Sequence, residues 1–387
     1  MVKRLSHALM VAGVVGAAVG LAASADAQED PIRVGSFLAV TGPASFLGDP
    51  ELKTLEMYID RINGAGGLLG RPLELIHYDT GADANTARTF VKRLLDEDEV
   101  DVILGGSATG TTMAVIPLVE RAEIPFVSFS GGVVVIDPVK PWVFKTPHTD
   151  RMACGKIFED LQKRGLTKVG LISGTGGFGK SMHEQCVDVA PDYAIEIVAD
   201  ETYAPSDTDM VAQLTKIKNT EGLQAVVNPG FGQGPAIVTK NFTQLGFDVP
   251  LYESHGVASK KYIELAGEAA EGVRLPASAL LVAERLPLDD PQRPVVVGYK
   301  TTYEAVHGPG SVSTFGGHAY DGLMMYKAAV EAAGTTEPAA VRDALESLSG
   351  FMGTAGRVTM SADDHMGLDL TAFRMLEIRD GDWVLVE

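Results

Sequence analysis

The sequence predicts an α/β fold made of two doubly wound parallel-sheet lobes. Three observations predict it. Strand-length apolar runs alternate with helix-period segments from Ile32 onward. Some of those runs, such as Val102–Leu104, lack polar alternation, as strands covered by helices on both faces do. The chain of 387 residues is also too long for one ordinary core.

The elements follow in order. Ile32–Val40 reads as the first strand, and Pro50–Ile62 as a helix burying Leu52, Leu55, Met57, Tyr58 and Ile62. The run Asn63-Gly64-Ala65-Gly66-Gly67 ends that helix with residues that tolerate a positive φ. Leu73–Tyr78 is the second strand, Ala82–Asp96 a helix, and Val102–Leu104, Phe126–Ser128 and Val143–Lys145 short strands around a helix from about Thr111 to Ala122. A second series starts at helix Met152–Arg164. It runs through strand Lys168–Ser173, helix Lys180–Val189, strand Ala194–Thr202 and helix Asp207–Thr220. Strand Gln224–Asn228, helix Gly234–Leu245, strand Leu251–Glu253 and helix Lys260–Ala266 complete it. An extended run over Val273–Val282 precedes helices at Val295–His307, Phe315–Ala333 and Pro338–Leu348. The chain closes on a hairpin, Phe373–Ile378 and Trp383–Val386, turning at Arg379-Asp380-Gly381-Asp382.

The N-terminus predicts export. Lys3 and Arg4 precede an apolar stretch from Ala8 to about Ala23, and Ala25-Asp26-Ala27 is a small-x-small cleavage pattern. Residues 1–27 read as a signal peptide, and the mature protein as periplasmic after cleavage near Ala27. No later segment reaches the ~18 apolar residues of a spanning helix. With 51 acidic and 32 basic residues the net charge is -19, which argues against nucleic acid and anionic membranes as partners. Cys154 and Cys186 fall in two neighbouring helices, and in an oxidising compartment such a pair is expected to be bridged. No cofactor and no metal site is expected, since the histidines are scattered and no metal or hydrolase motif is present.

Several segments together resemble one family. Thr41-Gly42-Pro43 with Gly48, the run Ile62-Asn63-Gly64-Ala65-Gly66-Gly67-Leu68-Leu69-Gly70-Arg71 and then Asp79 are similar in order and spacing to the branched-chain amino-acid type of periplasmic binding protein. Gly105–Thr112, Ile124-Pro125-Phe126-Val127-Ser128 and Ala319-Tyr320-Asp321-Gly322 continue the match. The resemblance implies a type I periplasmic binding fold whose lobes are joined by a three-strand hinge. Lobe one would be about 31–148 plus 278–355, and lobe two about 149–277 plus 356–387. It also implies a monomer that closes around a small-molecule ligand and hands it to the membrane permease of an ABC transporter, without catalysis.

The site then follows from loops at the carboxyl ends of the strands, where open α/β sheets bind ligands. Gly105–Thr112 is a hydroxyl-rich turn into a helix, and exposed N–H groups at a helix start favour an anion. The resemblance places a ligand carboxylate there and at Phe129-Ser130-Gly131-Gly132, with Ser107, Thr109, Ser130 and Gly131 as contacts and Phe46 in the first ligand loop. Phe178 and Phe231, set among glycines, are expected to close over the ligand from lobe two. Amino-acid-binding members carry an acid in the loop that here reads Tyr252-Glu253-Ser254-His255-Gly256. His255 takes that place, which suits a carboxylate lacking an ammonium, with an aromatic acid as the expected ligand. A two-residue register change would restore Glu253 and a branched-chain or aliphatic amino acid, and an exported enzyme using the same cleft is a further alternative.

One motif points elsewhere. Gly174-Thr175-Gly176-Gly177-Phe178-Gly179-Lys180-Ser181 has the spacing of a phosphate-binding loop and lies between a strand and a helix. An exported protein has no ready nucleotide supply, and no following strand ends in an evident magnesium carboxylate, so the loop is expected to serve the cleft instead.

Overall fold

The structure is a computed structural model, and it describes residues 30–386. The leader expected over 1–27 lies outside the described residues. Among the described residues no helix is long and apolar enough to cross a membrane.

The first series runs β1 (Ile32–Leu38), α1 (Ser45–Gly64), β2 (Leu73–Asp79), α2 (Ala84–Asp96), β3 (Val102–Gly105), α3 (Thr109–Ala122), β4 (Phe126–Ser128) and β5 (Val143–Lys145). The second runs α4 (Asp150–Lys163), β6 (Lys168–Gly174), α5 (Gly177–Val189), β7 (Glu196–Tyr203), α6 (Val211–Lys218), β8 (Ala225–Asn228), α7 (Gly234–Gln244), β9 (Leu251–Glu253), α8 (Lys260–Ala266) and β10 (Arg274–Ser278). Helices α9 (Arg293–His307), α10 (Thr314–Ala333) and α11 (Pro338–Glu346) follow. A short hairpin, β11 (Ser349–Met352) and β12 (Arg357–Thr359), and a terminal one, β13 (Phe373–Arg379) and β14 (Asp382–Leu385), end the chain.

Two sheets organise these elements. The first is five-stranded in the order β2-β1-β3-β4-β5, and every pairing in it is parallel. The second is seven-stranded in the order β14-β13-β10-β9-β8-β6-β7, parallel except where β13 and β14 join antiparallel at one edge. In both, the first strand of the series lies inside the sheet and the chain winds outward in two directions. That is the doubly wound arrangement expected from alternating βα units.

The strands are buried because helices cover them. Val102, Ile103 and Leu104 are fully inaccessible, and they share one core with α2, α3, α10 and α11 through Val91, Val115, Leu323 and Val341. Lobe two has two cores. Val226, Leu214 and Val238 lie in one, and Val169, Ile157 and Met182 in the other. Cys154 of α4 and Cys186 of α5 form a disulfide within the second of these, as expected.

Three sequence expectations change. Helix α1 starts at Ser45, and Pro50 lies inside it rather than at its first turn. The extended run expected over Val273–Val282 stops at Ser278, whose hydroxyl caps a 3₁₀ segment, Ala279–Arg285. The boundary at residue 355 is also displaced. Val358, Met360, Met366, Leu368 and Ala372 pack in the core of lobe one, while Leu370 and Phe373 pack in or against a core of lobe two. The chain thus passes between the two cores over about residues 368–373. Apolar residues in that stretch carry no mark of which core they will join, so packing alone placed the crossing.

Candidate functional site

Five strand ends meet between the lobes, and the loops after them build a cavity of about 380 Å³. Its wall takes Ser107, Ala108 and Thr109 from the turn after β3, and Phe129 and Gly131 from the loop after β4. Lobe two adds Phe178 after β6, Phe231 after β8, and His255 and Gly256 after β9. Leu47 of α1, Pro147, and Phe315 and His318 of α10 complete it. None of these residues is an Asp, Glu, Lys or Arg.

The polar groups of the wall fall into two sets. At one side lies the start of α3, where the first-turn N–H groups have no partner within the helix. Thr109 is buried there, and its hydroxyl oxygen accepts from the Gly132 N–H at 3.2 Å, which leaves its own hydrogen free to donate. Ser107 is differently employed. It donates to the buried carboxyl of Glu51 at 2.5 Å and accepts from the Ala39 N–H at 3.0 Å. Burial pushes that Glu51 carboxyl well above the usual range, the Ser107 hydrogen bond opposing.

The second set is imidazole. His255 is 7 % exposed, and neither ring nitrogen has a hydrogen-bond partner of ordinary geometry. Burial holds it well below the usual histidine range, helped by the charges of His148 and Lys145 and opposed by the main chain of His148. His318 is 4 % exposed, its Nδ1 has no partner, and burial followed by His148, His255 and Lys145 depresses it likewise. Both rings are therefore neutral at physiological pH. Among the described residues no group of three His, Cys, Asp or Glu side chains is placed to hold a metal ion.

Behind the wall lies a buried cation. The Lys145 ammonium donates to the carbonyls of Pro147 at 2.7 Å, His148 at 3.2 Å and Gly131 at 3.4 Å. Burial lowers it to about 7 against the pull of Asp150 and Asp364. It ties the first crossing between lobes to the cavity loop after β4.

Of the eight residues expected at the site, six line this cavity and two do not. Ser130 is fully buried beside it, where its hydroxyl lies 3.0 Å from that of Ser128. Phe46 stands behind the wall, its ring 5.6 Å from Phe315 and 6.5 Å from Phe231. The question of register after β9 is also answered. His255 faces the cavity, while Glu253 turns into lobe two and accepts from Asn228 and Thr239, each at 3.1 Å. Burial pushes the Glu253 carboxyl well above the usual range. His318 and Phe315 went unforeseen. Their three-residue spacing at the start of α10 puts them on one helical face, and that was the available signal.

The phosphate-loop motif is accounted for by packing. Lys180 is exposed to solvent, and Ser181 donates to the buried Asp150 carboxylate of α4. A side chain at Gly179 would place its Cβ 2.2 Å from the Gly174 carbonyl oxygen, so the tight turn itself requires glycine.

A second space opens beside the cavity, with about 1010 Å³ inside it, and Ala108 and Phe231 belong to both walls. Gly176, Gly177, Gly230, Gly232 and Gly234 line it from lobe two.

Known proteins are similar to this chain over most of its length. A leucine-, isoleucine-, valine-, threonine- and alanine-binding protein of Pseudomonas aeruginosa is 24% identical over 350 residues, covering 89% of this chain and 88% of its own. An extracellular ligand-binding receptor from Rhodopseudomonas palustris HaA2 superposes with a TM-score of 0.85 at 28% identity, covering 92% of this chain and 99% of its own. The branched-chain amino acid transporter substrate binding protein of Streptococcus pneumoniae, solved with isoleucine, shares the fold with a TM-score of 0.80 at 22% identity over 92% of this chain and all of its own. The sequence profile of one family, described as periplasmic binding protein, spans residues 31–382. Since that span takes in both lobes and all three crossings between them, the chain belongs to the periplasmic binding protein family.

Proposed function

We propose that this protein captures one small organic carboxylate between its lobes and delivers it to the permease of an ABC importer, without chemical turnover. The observation that carries this reading is the interlobe cavity, with the start of α3 and the Thr109 hydroxyl on one side and phenyl and imidazole rings around much of the rest. N–H groups at a helix start favour an anion, and the phenyl walls favour an apolar body. The transport role is supported by the names of the relatives and by the export signal read in the sequence.

Two ligand classes fit. α-Amino acids have the support of the relatives, one named as a leucine-, isoleucine-, valine-, threonine- and alanine-binding protein and one solved with isoleucine. A carboxylate without an ammonium, an aromatic acid above all, is favoured by a different observation: the cavity wall has no carboxylate, and Glu253 points away from it. An ammonium buried without a carboxylate to pair with gives up affinity to a ligand that has no such charge.

Titration calorimetry with leucine, isoleucine, valine and benzoate decides between them. Binding of the amino acids alone establishes the first class, and binding of benzoate alone the second. Failure of all four to bind, with the protein folded, refutes the carboxylate reading.

A further inference from the structure

Two rings on one cavity wall have buried nitrogens short of partners: His318 at Nδ1, and His255, whose ring nitrogens meet only the main chain of His148. Buried polar atoms are almost always matched in native proteins, so orphans that share a cavity wall mark a place for an absent partner. The two rings come from opposite lobes. His255 follows β9 in lobe two, and His318 sits near the start of α10 in lobe one. Aromatic neighbours fix both. Phe178 meets His255 edge-on at 5.3 Å, and Phe373 lies 5.5 Å from it. His148, stacked on the same Phe373 at 3.9 Å, meets His318 edge-on at 6.3 Å. A neutral imidazole offers one N–H and one lone pair, so the pair can donate from one ring and accept on the other. No charged side chain lines the wall to compete for a ligand's polar group.

We propose that His255 and His318 form an imidazole pair, split between the lobes, that receives a hydrogen-bond-donating group of the ligand, a hydroxyl or an ammonium. This rests on the carboxylate reading above and assigns the ligand a second polar group. Because each lobe supplies one ring, the contact is complete only when the lobes are together, and the ligand's second group helps to hold them there.

The test uses two series of acids that differ in that group alone: benzoate against para-hydroxybenzoate, and isocaproate against α-hydroxyisocaproate and leucine. In the series that binds, the member with a donor is expected to bind at least about tenfold tighter than the plain acid, the equivalent of one good hydrogen bond. His318→Phe keeps a flat ring and should shrink that advantage to within about twofold. His318→Asn should keep part of it. The larger gain, for leucine or for the hydroxy acid, tells ammonium from hydroxyl. Equal affinity of plain and substituted acids for the unaltered protein overturns the inference, whether or not the variants fold. So does a His318→Phe variant that keeps the full advantage. If neither series binds at all, the carboxylate reading falls and this inference falls with it.

Discussion

The imidazoles dominate the residue scale because their burial makes protonation costly. His148 is fully buried, and burial lowers it to about 3, with Lys145 and Arg374 adding to the shift. A histidine of the unfolded chain titrates near 6.5 and takes up its proton first as pH falls. Stability should therefore fall as pH drops from about 6.5 towards 3, by about 1.4 kcal/mol per pH unit for each imidazole that stays neutral. His148→Phe preserves the stack on Phe373 and should flatten that slope. Denaturant melts at a series of pH values check it, and identical slopes in parent and variant would reject the argument. Some of this scale could be read in the sequence. Phe178 and Phe231 stood among glycines with no local core to fill, and both reach the cavity. Ser130 and Phe46 belonged to equally suggestive loops, yet Ser128 occupies one and Phe315 the other. A loop position tells which strand end a residue serves, not which way its side chain turns.

At the scale of elements, the turn from β6 into α5 shows how a motif can be written by packing. The lysine of the phosphate-loop pattern is exposed, and its serine reaches across to Asp150 at the start of α4. Asp150 in turn accepts from the Val133 N–H at 2.8 Å, so this one carboxylate joins α5, α4 and the loop beyond β4. Lys180→Ala should change neither melting nor ligand affinity. Ser181→Ala leaves a buried carboxylate oxygen short of a donor and should destabilise by about 1–3 kcal/mol. Chemical denaturation of the two variants tests the contrast, and a costly Lys180→Ala beside a harmless Ser181→Ala would invert it. The disulfide between α4 and α5 braces the same pair of helices.

For the whole molecule, the lobes are in contact. An added Cβ at Gly131 would lie 2.8 Å from His255 Nε2 and 2.9 Å from Phe178, and one at Gly177 would lie 3.0 Å from Gly110. Thr314 of α10 also donates across to the Ala258 carbonyl at 3.2 Å. Gly131→Ala should therefore prevent full closure while leaving each lobe folded. The expected outcome is unchanged secondary structure, at least about tenfold weaker ligand binding, and a larger radius of gyration with ligand than the parent shows. X-ray scattering of both proteins with and without ligand provides the check, and equal compaction would show that the loop yields instead.

What the sequence determined by itself was local and periodic. Alternating apolar runs and helix-period segments specified the βα order, because a strand or helix advertises its buried face in its own spacing. Parallel pairing of the strands followed from that alternation, since parallel strands need crossover helices. The two cysteines could be paired for a similar reason, lying in adjacent helices of one series. Tertiary structure alone decided the rest. It put Val358, Met360, Met366 and Leu368 in the core of lobe one, it turned Glu253 inward and His255 into the cavity, and it brought His318 to the cavity wall. Each of these depends on contacts between segments far apart in the chain. Apolar or polar character is the same whichever neighbour satisfies it, so only the packed molecule could choose.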